Sequence, residues 1–299
     1  MKQIESISTR SHIIGIYLTI FAFLCAAIMN ALGKVGLQTI PLGMLLFAQN
    51  LFALCFCIPL IIRSPSVFRT KHLKSHFFRA STGLLSYACL FIAVQYISLV
   101  NATLLANSAP LFLPFVVRIW FGQKIRKSLW ISLIIGFLGV FFILNHGDNI
   151  STLFNSWMIL VALLGSLFSA IALQFVRNLS STESSSTIII YYFLISTILT
   201  MPLFISQFHM LGQTEWFILV AIGFLLACIQ FSLAQAYHHA SPTLLGPFNY
   251  TVVIFSGLIQ WIYWDVIPGF VSLIGITLIS LGGILSITQQ KKINFKEKK

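Results

Sequence analysis

Charged residues are scarce in this chain, and acidic residues are the scarcest of them. Only 8% of the 299 residues are Asp, Glu, Lys or Arg, whereas 58% are hydrophobic. About a quarter of the residues of a soluble domain are charged. The charged residues also lie almost entirely between ten long apolar runs, and a helix needs roughly 20 apolar residues to cross a bilayer. The composition therefore excludes an ordinary soluble domain and indicates a membrane-embedded protein.

Signatures of catalysis and of cofactor binding are also missing. The sequence has no Walker A loop, no Gly-x-Ser-x-Gly and no His-Glu-x-x-His, and no convergent nucleophile or metal set is visible within the apolar runs. The five cysteines all lie inside these runs, where an odd, buried set is typical of small apolar side chains rather than of a disulfide framework. We therefore expect no enzyme activity, no cofactor and no bound metal.

The apolar runs predict an all-α membrane protein with ten transmembrane helices. Helices are favoured over a barrel because the runs are continuously apolar and do not alternate. The division between the last two spans is the least distinct, since only residues 265–268 separate them. The predicted spans are 13–32, 41–62, 77–99, 102–121, 128–145, 154–174, 187–206, 216–236, 243–263 and 266–287.

The distribution of basic residues tests this count. Lys and Arg are enriched in cytoplasmic loops. Alternate loops counted from the N-terminus, taken together with Arg79 at the start of the third span, hold 16 of the 18 basic residues. Lys34 alone falls on the other side, and Arg118 lies within a span. So uneven a distribution argues against a missed span. We therefore expect both termini in the cytoplasm, and no nucleic-acid partner, because no basic cluster has a soluble fold to sit on.

The sequence contains traces of an internal repeat. Lys34 ends the first span and Arg177 ends the sixth, 143 positions later, and Gly139 in the fifth span has the same offset to Gly282 in the tenth. Each match is weak alone, but together they predict two halves of five spans. Because five is odd, the second half would be inverted in the membrane relative to the first, which is typical of secondary transporters.

These offsets define the expected organisation of the chain. The first five-helix repeat is predicted at about 11–147 and the second at about 152–289, followed by a basic cytoplasmic tail at 290–299. Two equivalent halves that exchange conformations would give inward-open and outward-open states of similar energy.

Several motifs, in order along the chain, carry a family resemblance. The third span opens with Arg79-Ala80-Ser81-Thr82-Gly83-Leu84-Leu85-Ser86-Tyr87, the fourth holds Asn107-Ser108-Ala109-Pro110-Leu111, and the fifth holds Gly136-Phe137-Leu138-Gly139-Val140. With the 5+5 plan, the glycines from Gly275 to Gly282 and the length near 300 residues, the whole chain resembles the EamA-type transporters of the drug/metabolite transporter superfamily. The resemblance implies a carrier of the bacterial inner membrane, with spans three, four, eight and nine lining a central cavity.

The chain departs from that family at three places. Gln49-Asn50 stand in the second span, where the family often has an Arg, and Gln123 and Asp265 stand where it often has a Glu. The difference in the second span lies in the region that the family uses for substrate handling. The substrate of this chain therefore cannot be inferred from the resemblance.

Polar side chains within hydrocarbon are expected to face the bundle interior, because their exposure to lipid is costly. We expect substrate contacts from polar residues of the four cavity-lining spans. The alternative is that they form hydrogen bonds between helices, worth about 0.6 kcal/mol each. The candidates are Gln95, Asn107, Gln230, Asn249 and Tyr250.

One face of the fourth span combines polar and proline residues. Asn107, Pro110, Pro114 and Arg118 follow spacings of 3, 4 and 4, which place them on one side of a helix. Proline frees backbone carbonyls and permits bending, so Pro110 and Pro114 are predicted gating hinges, the alternative being a kinked packing helix. Arg118, and likewise Arg79, either reaches the headgroups or attracts an anionic substrate.

These observations predict a transporter of a small polar metabolite within the lipid bilayer. All six acids fall in loops or tails, and coupled carriers commonly use buried carboxylates, so exchange or facilitated diffusion is expected. An amino acid or derivative is favoured, with S-adenosylmethionine or a nucleotide-like metabolite as the alternative. A membrane scaffold and an intramembrane enzyme are the alternatives of another class, and a homodimer is left open.

Overall fold

The computed structural model describes residues 2–63, 68, 70–121, 127–144, 152–240, 242–267 and 269–296, and the regular elements in these ranges are all helical. Lipid offers no hydrogen-bond partners, so the apolar runs satisfy their backbone groups within helices. The helices are α1 (Lys2–Gly36), α2 (Leu42–Phe56), α3 (Ile58–Arg63), α4 (Leu73–Tyr96), α5 (Leu99–Ala106), α6 (Ala109–Phe121), α7 (Lys127–Leu144), α8 (Thr152–Leu179), α9 (Ser185–Gln207), α10 (Gln213–His239), α11 (Pro242–Leu245), a 3₁₀ helix (Gly246–Tyr250), α12 (Thr251–Trp264) and α13 (Phe270–Lys296).

The helix count differs from the predicted ten spans because several spans are interrupted. The second span divides into α2 and α3 at Cys57, the fourth divides into α5 and α6, and the ninth divides into α11, the 3₁₀ helix and α12. Within the described ranges, six segments are long and apolar enough to cross a membrane, and three shorter apolar helices accompany them. The described residues therefore form an all-helical fold with several candidate membrane spans, and helix length by itself does not establish the number ten.

The ends of several helices have local causes. The Ser98 Oγ accepts a hydrogen bond from the Asn101 amide at 3.2 Å and caps the start of α5, and Ser184 caps α9 in the same way through Thr187. Asp265 follows α12 in the left-handed conformation, with φ of 53°, which ends the helix. The least distinct predicted division, between the last two spans, is therefore a true helix end.

Only some of the basic residues that support the predicted orientation lie within the described residues. Arg69, Lys124 and Arg126 lie outside the described residues, as do residues 297–299 of the predicted tail. The remainder of that tail is helical, because α13 continues through Lys296.

The helices pack in a pattern that pairs the two predicted halves of the chain. The first helix of each half packs against the third span of the other half, α1 on α10 and α8 on α4. The second spans, α2 and α9, pack together, as do the fifth spans, α7 and α13. Exchanging the halves leaves this set of contacts unchanged.

Small residues bring the paired helices close together. A Cβ atom at Gly165 of α8 would lie 2.9 Å from the Cβ of Cys89 in α4, and one at Gly15 of α1 would lie 2.9 Å from that of Ala240. A Cβ at Gly139 of α7 would lie 2.7 Å from the Gly275 carbonyl oxygen of α13. Close backbone approach of this kind is how membrane helices gain packing energy.

Candidate functional site

The fourth predicted span is interrupted in its middle, and polar side chains donate hydrogen bonds to backbone carbonyl oxygens there. Asn107 leaves helical geometry after α5, and its Nδ2 donates a hydrogen bond to the Thr103 carbonyl oxygen at 2.8 Å. The Ser108 Oγ donates to the Leu104 carbonyl oxygen at 2.9 Å. Pro110 then occupies the first turn of α6, where its missing N–H costs nothing. Of the two predicted hinge residues, Pro110 therefore lies next to an interruption between α5 and α6, whereas Pro114 lies inside α6.

The ninth predicted span is broken at the corresponding place of the second half. The 3₁₀ helix Gly246–Tyr250 separates α11 from α12, and Tyr250 lies 143 positions after Asn107, the offset of the sequence repeat. Asn249 is half-buried. Tyr250 is 6% exposed, and its hydroxyl has no hydrogen-bond partner among the described residues.

A buried polar cluster links three helices beside the first break. Asn30 of α1, Thr103 of α5 and Ser256 of α12 are each at most 2% exposed. The Asn30 Nδ2 donates to the Thr103 Oγ1 at 3.5 Å, and the Ser256 Oγ donates to the same oxygen at 3.3 Å. The Asn30 Oδ1 has no partner within the described part of the chain. The interior beside the break is therefore polar, and it contains a hydrogen-bond acceptor, the Asn30 Oδ1, that has no donor among the described residues.

Two side chains close the bundle at one end. The Gln260 Oε1 of α12 accepts a hydrogen bond from the Val100 amide at 3.1 Å, near the start of α5. The Nζ of Lys34 donates to the carbonyl oxygens of Val94 and Ile97 at the end of α4. We refer to this end, where α1 and α4 terminate, as the far end.

The opposite end, where α1 begins and α10 terminates, is arranged differently. We refer to it as the near end, and the Ser11 Oγ donates there to the His239 carbonyl oxygen at 3.0 Å. At the far end α5 packs on α12, but α6 makes no extended contact with α11 or the 3₁₀ helix in the described ranges. Arg118 and Ile119 of α6 are exposed at the near end. In the described ranges, therefore, the fourth and ninth predicted spans pack together at the far end but make no extended contact at the near end.

The structure divides the predicted site residues into groups. Asn107 and Pro110 lie at the first break, Pro114 is buried in α6, and Asn249 and Tyr250 lie at the second break. Gln230 is half-buried in α10. Two candidates lie apart from these: Gln95, exposed in the last turn of α4, and Arg118, exposed near the end of α6.

Arg79 is the predicted charged residue that the structure places in the interior. It is 7% exposed, and its Cζ lies 3.8 Å from the ring centroid of Tyr192 in α9. One turn earlier on α4, His76 is 1% exposed and stacks on Tyr191. The side chain of Arg79 is therefore buried between α4 and α9.

Sequence reasoning overlooked several buried polar residues. Asn30, Gln49, His76 and Tyr192 are buried with at least one polar atom that has no partner among the described residues. Gln49 departs from the family pattern, and His76 lies just before the predicted third span. The described residues hold no group of three or more His, Cys, Asp or Glu side chains suited to a metal ion.

Comparison with known proteins gives two kinds of relationship. The model of the EamA-like transporter family matches the chain twice, at residues 13–145 and 156–288. The chain is 27% identical over 280 residues to the pseudopaline exporter CntI of Pseudomonas aeruginosa strain UCBPP-PA14, covering 93% of this chain and 97% of that protein. It is 25% identical over 202 residues to a riboflavin transporter of Vibrio cholerae serotype O1, covering 67% of this chain and 66% of that one.

A solved crystal structure has the same fold. It aligns with a TM-score of 0.64 at 16% sequence identity, covering 95% of this chain and 99% of the other. At that identity the likeness concerns the fold alone.

Proposed function

Since the chain belongs to the EamA-like transporter family, we propose that it moves a small polar metabolite across the bacterial inner membrane by alternating access. The observation that carries this proposal is the pair of broken helices, at Asn107–Pro110 and Gly246–Tyr250, in corresponding positions of the two halves. Interrupted helices at equivalent places of two repeats are the best structural indication of a transporter's binding site. The family consists of transporters, in agreement with the prediction that this chain is not an enzyme.

The proposed topology has ten spans, with both termini in the cytoplasm. In this topology α2 with α3, α5 with α6, and α11 with the 3₁₀ helix and α12 each count as one interrupted span. The inverted halves 11–147 and 152–289 are supported by the exchange symmetry of the helix contacts and by the two family matches. The uneven loop charges support the orientation.

The proposed mechanism alternates access between the two ends of the bundle. The packing of α5 on α12 at the far end, without extended contact between α6 and α11 in the described ranges, supports assigning this conformation to the state that opens toward the near end. In the opposite conformation α6 would approach α11, and α5 would leave α12. Both movements turn on the helix breaks, where few backbone hydrogen bonds must be lost.

The proposed binding residues are three residues at the breaks and one residue of α10. Asn107, Asn249 and Tyr250 belong to the breaks themselves, and Gln230 of α10 is half-buried. The unpartnered hydroxyl of Tyr250 and the unpartnered Oδ1 of Asn30 offer one donor and one acceptor to a polar solute. Buried polar groups without a partner are costly, so a solute that supplies the missing hydrogen bonds would bind favourably.

An amino acid or amino-acid derivative is the favoured substrate in this proposal, with S-adenosylmethionine or a nucleotide-like metabolite as the alternative. The printed functions of the relatives add pseudopaline and riboflavin to the compounds worth testing. Exchange or facilitated diffusion is the proposed mode, because the predicted spans contain no Asp or Glu.

Counterflow in proteoliposomes tests the function directly. Vesicles loaded with one unlabelled compound at a time would be diluted into traces of the same labelled compound, using glutamate, methionine, S-adenosylmethionine, riboflavin and pseudopaline. We expect at least one compound to accumulate transiently above its level in protein-free vesicles. Absence of counterflow for every compound would reject the proposed substrate classes. Uptake driven by an imposed proton gradient, without counter-substrate, would reject the exchange mode.

A further inference from the structure

The guanidinium of Arg79 is buried in the bundle in an unusual setting. Its Cζ lies 3.8 Å from the centroid of the Tyr192 ring, so the ring covers one face of the guanidinium plane. Gly83 lies one turn further along α4, where a Cβ atom would be 3.0 Å from that ring and 3.5 Å from Nη1 of Arg79. A larger residue at position 83 would press on the cation and the ring, so the glycine makes room for the stacked pair.

Arg79 has no counter-ion in the described part of the chain. No described carboxylate lies within salt-bridge distance of it, and its Nε has no hydrogen-bond partner there. The nearby acid Glu183 accepts a hydrogen bond from Thr70 at 2.6 Å and interacts electrostatically with His76. A buried charge without a partner is strongly unfavourable in an apolar interior, and the predicted spans themselves contain no acid.

Stacking on Tyr192 accounts for only part of the stabilisation that Arg79 requires. A cation–π contact is worth roughly 0.5–2 kcal/mol, and it stabilises the face of the guanidinium but supplies no acceptor to the in-plane N–H of Nε. Lys34 provides a comparison, because that half-buried ammonium donates to two backbone carbonyl oxygens. The Nε edge of Arg79 has no equivalent acceptor among the described residues.

The position of Arg79 along α4 suits a ligand that enters from the near end. α1 and α4 run parallel, because their ends meet at Lys34 and Ile97, so the start of α4 at Leu73 faces the near end. Arg79 lies in the second turn of α4. At the near end α6 and α11 make no extended contact in the part of the chain that the structure describes.

We propose that Arg79, oriented by Tyr192, binds an oxyanion of the transported solute, so that the substrate class is organic anions. This proposal rests on the proposed transport function and adds its charge selectivity. A carboxylate or a phosphate presents two oxygens in the plane of the guanidinium fork. Either would supply the acceptor that Nε lacks, and the Tyr192 ring fixes the fork so that little side-chain entropy is lost on binding.

Matched pairs of solutes that differ in one charge test the proposal. Counterflow of glutamate against glutamine, and of nicotinate against nicotinamide, examines carboxylate selectivity, and riboflavin phosphate against riboflavin examines phosphate selectivity. We expect the wild-type protein to favour the anionic member of at least one pair by tenfold or more. The pair that shows this preference identifies which oxyanion is recognised.

The Arg79 variants then assign the preference to this residue. Arg79→Gln should reduce the anion-to-neutral ratio at least tenfold, and Arg79→Lys, which keeps the charge but lacks the fork, should reduce it at least threefold. Lys74→Gln is the matched control, because Lys74 is an exposed cation on the same helix, and it should leave the ratio unchanged. If Arg79→Gln fails to insert, the ratio of Arg79→Lys decides.

The outcomes separate this proposal from the transport function. A wild-type protein that transports only the neutral members, or an Arg79→Gln protein with an unchanged ratio, overturns the oxyanion site and leaves the transport function standing. A wild-type protein that moves none of the six solutes, nor any compound of the earlier panel, overturns both.

Discussion

The Nζ of Lys34, near the end of α1, donates a hydrogen bond to the carbonyl oxygen of Ile97, 2.8 Å away, just past the end of α4. The same ammonium also donates to the Val94 carbonyl oxygen. The last carbonyls of a helix lack intrahelical partners and carry partial negative charge, so a cation there is favourable. In the predicted topology Lys34 is the one basic loop residue on the far side, and the contact explains its place there: it joins two helices at the closed end.

Lys34→Met should weaken the closure of the far end. The change leaves two carbonyl oxygens without their donor, at a cost of about 1–3 kcal/mol to the closed conformation. In a background without the native cysteines, a Cys at position 103 should react at least threefold faster with a membrane-impermeant maleimide applied from the far side. Lys34→Arg, which keeps a donor, is the control, and an unchanged rate in Lys34→Met would show that Lys34 does not hold this end closed.

Asn107→Leu should abolish transport while leaving membrane insertion intact. The amide joins the break to the Thr103 carbonyl oxygen at 2.8 Å, and a leucine supplies neither this hydrogen bond nor a polar contact to a solute. Counterflow of whichever compound the wild type transports, normalised to the amount of inserted protein, measures the loss. Wild-type flux in this variant would remove α5 and α6 from the proposed pathway.

Thr103→Val should lower transport by about tenfold through the buried polar cluster. The substitution keeps the shape of the side chain but removes the oxygen that accepts from both Asn30 and Ser256, leaving buried donors unsatisfied. Thr277→Val is the matched control, since Thr277 of α13 is exposed and its hydroxyl bonds only to its own helix, at Leu273. Equal flux in the two variants would contradict a role for the cluster.

Gly139→Ala should destabilise the packing of α7 on α13. The added Cβ would lie 2.7 Å from the Gly275 carbonyl oxygen and 2.8 Å from the Ile279 backbone nitrogen, and backbone atoms cannot move aside cheaply, so a loss of about 1–3 kcal/mol is expected. Thermal unfolding of the purified protein should show a melting temperature lower by several degrees. Gly257→Ala, whose Cβ would meet only Val100 at 3.7 Å, should not lower it.

The candidate site was only partly predictable from the sequence. The residues at both breaks could be named as candidates from the sequence, because such residues interrupt helices or cost energy in lipid. They are Asn107 and Pro110 in the fourth span and Asn249 and Tyr250 in the ninth. Gln95 satisfied the same criterion but is exposed in the last turn of α4. Polarity within a span gives no information about which side of the helix its neighbours cover, and that depends on contacts with other helices.

Side-chain contacts between different helices could not be predicted from the sequence. Arg79 and Arg118 were equivalent as arginines near span ends, but one stacks on Tyr192 inside the bundle and the other is exposed. The acceptor of Lys34 lies on another helix, 63 residues along the chain. Pairings of this kind follow from how α4 packs on α8 and α9, which no local pattern specifies.

The sequence by itself determined that this protein lies in a membrane, that its apolar runs are helical, and to which family it belongs. Long apolar runs with so few charges can satisfy their backbone groups in lipid only as helices, and this constraint acts locally. The tertiary structure decided where the helices break, which polar side chains meet in the interior and which end of the bundle is closed. Those features depend on the small differences in packing and hydrogen-bond energy between alternative helix arrangements, and they are set by residues far apart in the chain.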